Sequence, residues 1–208
     1  MDIKLTKAEK IKILNAFDIY GIMQRILLRE DKIDQDREHF WVIGLANNNR
    51  ILFIELISLG TVNRALAEPM EVFSLALQKR AVKIILCHNH PSGELVPTEV
   101  DKDITDRLIQ VGIIVNTEVL DHLIITTESY VSFKNMGLME ELAESTQYVP
   151  NYVLKERYKK EAAAMAQRKE KLEIARQMKA KGMDVETISE ITGLTVDEVK
   201  KLRGKRRK

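Results

Sequence analysis

The chain has 208 residues, 45% of them hydrophobic and 31% charged, with a formal net charge of +2. That apolar content suits one medium-sized core with an appendage, and the long apolar run Ile51–Leu59 is interrupted by Glu55 and far too short to span a bilayer. A single cysteine, Cys87, excludes an internal disulfide, and the opening Met1–Thr6 lacks a basic stretch followed by an apolar one, so a cytoplasmic protein without an export signal is expected.

In chain order, Thr6-Lys7-Ala8-Glu9 has the spacing of a capping box. The apolar positions Ile11, Leu14, Phe17, Ile22, Ile26 and Leu27 predict one helix, or two broken at Gly21, reaching about Arg29. Phe40–Ala46 and Ile51–Leu59 read as strands joined by the turn Asn47–Arg50. Pro69 suits the first position of a helix running to about Lys79, with Val72, Phe73, Ala76 and Leu77 inward. Lys83–Cys87 is a short buried strand ending at His88, and Ser92, Gly93 and Pro97 mark a tight loop. Thr98–Asp101 has N-cap spacing and opens a helix with Ile104, Leu108 and Val111 inward, ending near Gly112. Strands follow around Ile113–Val119, His122–Thr126 and Val131–Phe133. Helices alternating with strands predict an α/β or α+β sheet flanked by helices.

Tyr148–Tyr152, with Pro150, marks the end of that region. Val153 to about Lys181 is rich in strong helix formers and stops at Gly182. Asp184 caps a short helix with Ile188 and Ile191 inward, Gly193 ends it, and the capping box Thr195–Glu198 opens a last helix with Val199 and Leu202 inward. The expected organisation is a helical segment over 1–30, a central domain over 31–147 and a helical tail over 153–208. Residues 155–208 hold 17 Lys/Arg against 9 Asp/Glu, a balance of +8, which leaves 16 against 22, or −6, for the rest. The tail has helix-turn-helix grammar and a charge that suits DNA, although the prospective recognition helix begins with Asp197 and Glu198, the wrong sign beside phosphate. The alternative is a small helical appendage that packs on a partner or on a second copy.

His88-Asn89-His90-Pro91, followed by Thr98 and Asp101, carries the chemistry. Two imidazoles two residues apart in extended backbone project to one side, and Pro91 forces the chain out of the strand. Asp101 returns a carboxylate from the first turn of the next helix, where the dipole favours negative charge. Two His and one Asp with a position left for water is the composition of a catalytic rather than a structural zinc site, and points to a metal-activated hydrolase; the ordinary alternative is a polar loop at a strand end. Cys87 faces away from both histidines and is expected as a buried strand residue, not a ligand. Glu38 at a strand entrance and Glu55 inside an apolar strand compete equally for the role of base. His122, beside Asp121, is a core histidine or an orienting partner of a metal imidazole. No role is assigned to His39.

The block His-Asn-His-Pro-Ser-Gly with Thr98 and Asp101 resembles the RadC-like branch of the JAB/MPN (JAMM) metalloenzyme family. Arg37–Leu45 is similar to that family's opening strand, and Gly60-Thr61, Pro69–Phe73, Asp121–Ile125 and Tyr130–Phe133 follow in the family's order, over about residues 25–140. The resemblance implies a JAB/MPN-like mixed β-sheet flanked by helices, with a small all-α C-terminal appendage. It implies Zn2+ held by His88, His90 and Asp101, Glu38 handling the water, and Thr98 helping to hold the oxyanion during hydrolysis of a peptide or isopeptide bond in a peptide or protein substrate. It favours Glu38 over Glu55. Thr98 stands where the family usually has serine, and Met70 where it commonly has arginine; the helical leader of longer relatives is expected to be absent or reduced to the opening helix. The competing expectation is a DNA-repair or nucleic-acid-associated factor whose domain is a scaffold and whose basic tail contacts DNA. A metal-dependent nuclease is a third, without a carboxylate cluster for a second metal.

Overall fold

The computed structural model describes residues 12–60 and 67–202, so the capping box expected at Thr6–Glu9 lies outside the described residues. The chain divides into two compact units, residues 1–149 and 150–208.

The first unit is built on a five-stranded mixed sheet in the order β2-β1-β3-β4-β5. β1 (His39–Leu45) and β2 (Ile51–Leu59) form an antiparallel hairpin whose turn carries Asn49 at φ 62. β3 (Lys83–Asn89) runs antiparallel to β1 and parallel to β4 (Glu118–Ile125), and β5 (Tyr130–Ser132) closes the far edge antiparallel to β4. A parallel pair cannot be joined by a hairpin; α4 (Glu99–Ile114) makes the crossover between β3 and β4. Every residue of β1 is buried, as a strand covered on both faces requires. On one face, Trp41, Ile43, Cys87 and Leu123 pack with Ile19, Met23 and Ile26 of α1 (Ala16–Leu27). On the other, Val42, Leu86 and Ile124 pack with Val72 and Phe73 of α3 (Pro69–Gln78) and Leu108 of α4. Two short helices that the sequence pattern does not announce, α2 (Lys32–Gln35) and α5 (Leu138–Ala143), complete the unit.

Several expectations change. The helix that carries Ile22, Ile26 and Leu27 starts at Ala16, beyond Leu14: Lys12 bridges to Arg50, the Ile13 N–H donates to the Asn49 carbonyl at 2.9 Å, and Asn15 with Asp18 forms the capping box. The helix passes through Gly21 unbroken, while Leu14 and Phe17 are exposed rather than inward. Leu77 of α3 is likewise exposed. Ile113 and Ile114, expected in a strand, finish α4 instead, and β4 is a single strand. Gly112 does not end the helix; it lets the helix approach the sheet, since a Cβ there would lie 2.5 Å from the Thr117 carbonyl oxygen. What splits the β4 pattern is a bulge: Ile84 pairs with Val119 but Ile85 with Asp121, leaving Leu120 extra. The extra residue reverses which face the following side chains occupy. His122 and Ile124 therefore lie on the α4 side, while Leu123 and Ile125 join the α1 side.

The second unit consists of α6 (Asn151–Ala180), α7 (Val185–Thr192) and α8 (Val196–Lys201). Gly182 at φ 82 and Gly193 at φ 68 supply the turns, and Asp184 and Thr195 cap α7 and α8 as their spacing requires. Ala175, Ile188, Leu194 and Val199 form the small core, and Ile191, expected inward, is exposed. Lys179 Nζ donates to the carbonyls of Val199, Lys200 and Leu202 at 2.9, 3.0 and 2.9 Å, closing the end of α8. No helix among the described residues is long and apolar enough to cross a membrane.

Candidate metal centre

Four side chains from three separate segments converge where β3 ends. One ligand atom from each of Glu38, His88, His90 and Asp101 lies within 4.8 Å of all the others. This is the carboxyl end of the parallel pair β3–β4, the usual location of a site in such sheets. The two imidazoles meet because β3 places both on one side, Nε2 to Nε2 at 2.9 Å. Asp101 reaches them from N3 of α4, with Oδ1 at 3.2 Å from His88 Nε2 and Oδ2 at 3.6 Å from His90 Nε2. Glu38 enters from the residue before β1, its Oε1 4.0 Å from His88 Nε2.

These separations fit a small divalent cation. Zinc bonds of roughly 2.0–2.1 Å in a tetrahedron put neighbouring donor atoms about 3.3 Å apart, and the observed 2.9, 3.2 and 3.6 Å bracket that edge. His90 is oriented by a hydrogen bond between Nδ1 and the Glu94 carbonyl at 2.7 Å, which leaves Nε2 turned inward. Asp101 is held by the Thr98 N–H and hydroxyl, each 2.7 Å from Oδ2. Burial alone would raise its pKa, but the adjacent His88 and His90 rings and the Thr98 donors outweigh burial and hold the carboxyl well below the ordinary carboxylate range. His90 moves the other way: burial opposes its charge, yet the adjacent Asp101 carboxylate, the Glu94 carbonyl and the nearby Glu38 together raise its pKa.

The family model for the RadC-like JAB domain matches residues 16–138. The chain belongs to the RadC-like JAB family. Among curated relatives, a UPF0758 protein of Desulforamulus reducens is 43% identical over 113 residues, covering 54% of this chain and 50% of its own length. One from Chlorobium chlorochromatii is 38% identical over 128 residues, covering 62% and 55% respectively, and one from Clostridium novyi is 36% identical over 137 residues, covering 64% and 60%. The chain thus spans little more than half the length of the curated relatives it matches. Residues 168–204 match the C-terminal HTH domain of the Rpn/YhgA-like nuclease family.

Within the RadC-like unit, Glu38, His88, His90 and Asp101 are the residues singled out from the sequence, and the structure brings all four together. Glu55 is not among them; it sits half-buried on edge strand β2, opposite Val42. Thr98 is the N-cap of α4, with its hydroxyl on Asp101. Cys87 is fully buried on the α1 side, and burial pushes its thiol far up from the ordinary value, so it offers no thiolate. Met70 is exposed in the first turn of α3. His39 stacks on Trp41, ring centroids 4.9 Å apart.

Two participants carry no role in the sequence reading. Asn89, between His88 and His90, accepts from the His39 N–H at 2.7 Å and donates to the Arg37 carbonyl at 3.0 Å. It clamps the backbone on both sides of Glu38, and the Gly60 N–H holds the Glu38 carbonyl between them at 2.8 Å. Thr105, one turn beyond Asp101, lies fully buried against His122. A polar residue at i+4 from a ligand, on the inward face of a helix, was the available signal. For Asn89 the signal was an amide at a buried strand position, where both halves must find partners.

Proposed function

We propose that this RadC-like protein is a zinc-dependent hydrolase of an amide bond in a peptide or protein, of the JAMM metalloprotease or isopeptidase kind. The observation that carries the reading is the convergence of two carboxylate and two imidazole side chains within 4.8 Å at the carboxyl end of β3. Two imidazoles and one carboxylate form the ligand set of catalytic zinc, with one position open. His88, His90 and Asp101 would hold the ion, which supplies Lewis acidity and makes a water nucleophilic near neutral pH. Glu38, outside that set and held by its clamped backbone, accepts the proton of the attacking water and returns it to the leaving amine. Thr98 donates to the developing oxyanion by exchanging its bond to Asp101 Oδ2. Phe40 packs beside the site, its ring 6.0 Å from that of His88.

The test compares wild type with Glu38→Gln on peptide and isopeptide substrates. The expected result is retained zinc and substrate binding with turnover lowered roughly a hundredfold to ten-thousandfold. Equal turnover in both proteins would remove Glu38 from the mechanism, and a zinc-loaded wild type that cleaves no member of either substrate class would count against the hydrolase.

A second reading concerns the C-terminal unit. Its match to an HTH domain and its +8 balance over residues 155–208 favour nucleic-acid binding by this tail. Asp197 and Glu198 occupy the first turn of α8, where Glu198 caps Thr195 and pairs with Arg168 at 2.5 Å. Such a start repels phosphate, so binding would be sequence-tolerant, carried by backbone contacts of the surrounding Lys and Arg, and would fall steeply with salt. Removal of residues 150–208 should abolish it; full DNA affinity in the truncated protein would place the binding elsewhere.

A further inference from the structure

Behind His88 runs a chain of buried polar groups that no part of the proposed hydrolysis uses. His88 Nδ1 lies 2.7 Å from His122 Nε2, His122 Nδ1 lies 2.7 Å from Thr105 Oγ1, and Thr105 Oγ1 lies 2.5 Å from the Asp101 carbonyl oxygen. His122 and Thr105 are wholly buried, and Phe40 and Phe133 flank the His122 ring at 5.6 and 4.8 Å. Water therefore has no part in deciding where the protons sit.

The protons can be assigned from the far end. A carbonyl oxygen only accepts, so the Thr105 hydroxyl proton belongs to the Asp101 carbonyl. Having used its one proton, Thr105 Oγ1 can only accept from His122, which places a proton on His122 Nδ1. A neutral imidazole has one N–H, so His122 Nε2 is a bare lone pair. It must accept, and His88 must donate through Nδ1. His122 is wholly buried with Phe40 and Phe133 about its ring, surroundings that disfavour a charged imidazole.

We propose that Thr105 and His122 are positioning residues which lock His88 in the Nδ1–H tautomer, so that its Nε2 lone pair always faces Asp101, His90 and Glu38. The assignment rests on the metal-centre reading for its purpose, but not for its proton logic. His90 reaches the same tautomer by a shorter route, its Nδ1 on the Glu94 carbonyl. Both ligands are thus referred to main-chain carbonyls, which cannot change protonation state. For His88 the reference is the carbonyl of Asp101, whose carboxylate faces the same histidine at 3.2 Å. Hydrogen bonds thus link α4, β4 and β3 in one chain from the Asp101 carbonyl to His88 Nδ1. Because the partner of His88 is a neutral imidazole and not a carboxylate, it orients the ligand without adding the negative charge that would raise its basicity.

The decisive measurement is on the full-length, metal-free protein: nitrogen-15 NMR of its labelled histidine rings. The expected spectrum shows His88 and His122 both protonated at Nδ1, with an Nδ1–H of His88 bonded across to His122. Protonation of His88 at Nε2 alone would overturn the proposal without any variant having to fold. Zinc affinity, measured by chelator competition, gives the second readout. Thr105→Val and His122→Phe should weaken it roughly 10–100-fold, and Thr105→Ser and His122→Gln, which restore the hydroxyl and the acceptor, should recover most of the loss. Unchanged affinity in folded Thr105→Val and His122→Phe would equally overturn it. A wild type that shows the assigned tautomers yet binds no zinc would instead sink the metal-centre reading, and with it the purpose assigned to the relay.

Discussion

The two units organise their chemistry on different scales. In the C-terminal unit, each turn is set by residues adjacent to it: Gly182 before Asp184, Gly193 before Thr195, and Glu198 answering Thr195 three residues on. In the RadC-like unit, the residues that matter come from distant parts of the chain. Glu38 precedes β1, His88 lies near the end of β3 and His90 just beyond it, Asp101 opens α4 and His122 lies in β4. A helical turn needs only local satisfaction of its end groups. A metal site needs donors within a few ångströms, and a sheet edge meeting a helix start is a rigid way to supply them. The first unit therefore tolerates change in local signals but not in register, and the second the reverse.

Removing a ligand should give the largest effect. His90→Ala or His88→Ala is expected to abolish stoichiometric zinc, read by elemental analysis, while circular dichroism shows the sheet intact. His88→Ala also strands the buried His122 acceptor, at a cost of about 1–3 kcal/mol, so it should melt earlier than His90→Ala. Zinc retained by both variants would mean that the cluster is not the metal site.

The next effect belongs to the second unit. Ile188 is fully buried in a core of few residues, and Ile188→Ala should cost about 2–5 kcal/mol. That is enough to unfold so small a unit, seen as lost helical signal with zinc content unchanged. Loss of zinc in this variant would show that the two units do not behave independently.

Asn89→Ala sharpens the comparison from the other side. It removes two hydrogen bonds that span Glu38 and leaves the His39 N–H to find another acceptor, while the Arg37 carbonyl keeps the His39 ring at 2.9 Å, at a cost of about 1–3 kcal/mol. Zinc binding should survive and turnover should fall, because the ligands keep their supports while Glu38 loses its own. A variant as active as wild type would show that Gly60 and the His39 ring suffice to hold that backbone. The smallest effect is expected from Thr195→Ala, about 1 kcal/mol from loss of the α8 cap, confined to the C-terminal unit and checked by its melting temperature.

Much of the site was legible because its most informative block is contiguous. His88, His90, Pro91, Thr98 and Asp101 fall within a single strand-loop-helix passage, where the period of a strand and the spacing of an N-cap already say which way the side chains point. Glu38 was different: on residues alone it was no better than Glu55, and the resemblance to a family separated them. Thr105 carries only a weak signal, a polar residue at i+4 from Asp101 on the inward face of a helix, because its partner His122 lies on another element. The strand around Ile113–Val119 was misplaced for a related reason. Two isoleucines favour a strand by propensity, yet the helix continues because Gly112 allows it to lie close against Thr117.

By itself, the sequence determined the caps and turns of the C-terminal helices, the hairpin and the shared side of His88 and His90, since each depends on the periodicity or chemistry of neighbouring residues. The tertiary structure decided which glutamate faces those histidines, what clamps it, and where His122 points. The bulge at Leu120 is the clearest case. Simple alternation from Val119 would put His122 on the opposite face from the metal centre. One unpaired residue, visible only from the register against β3, turns it toward Thr105 and His88, because the pleat has a period of two and a single insertion reverses every side chain beyond it.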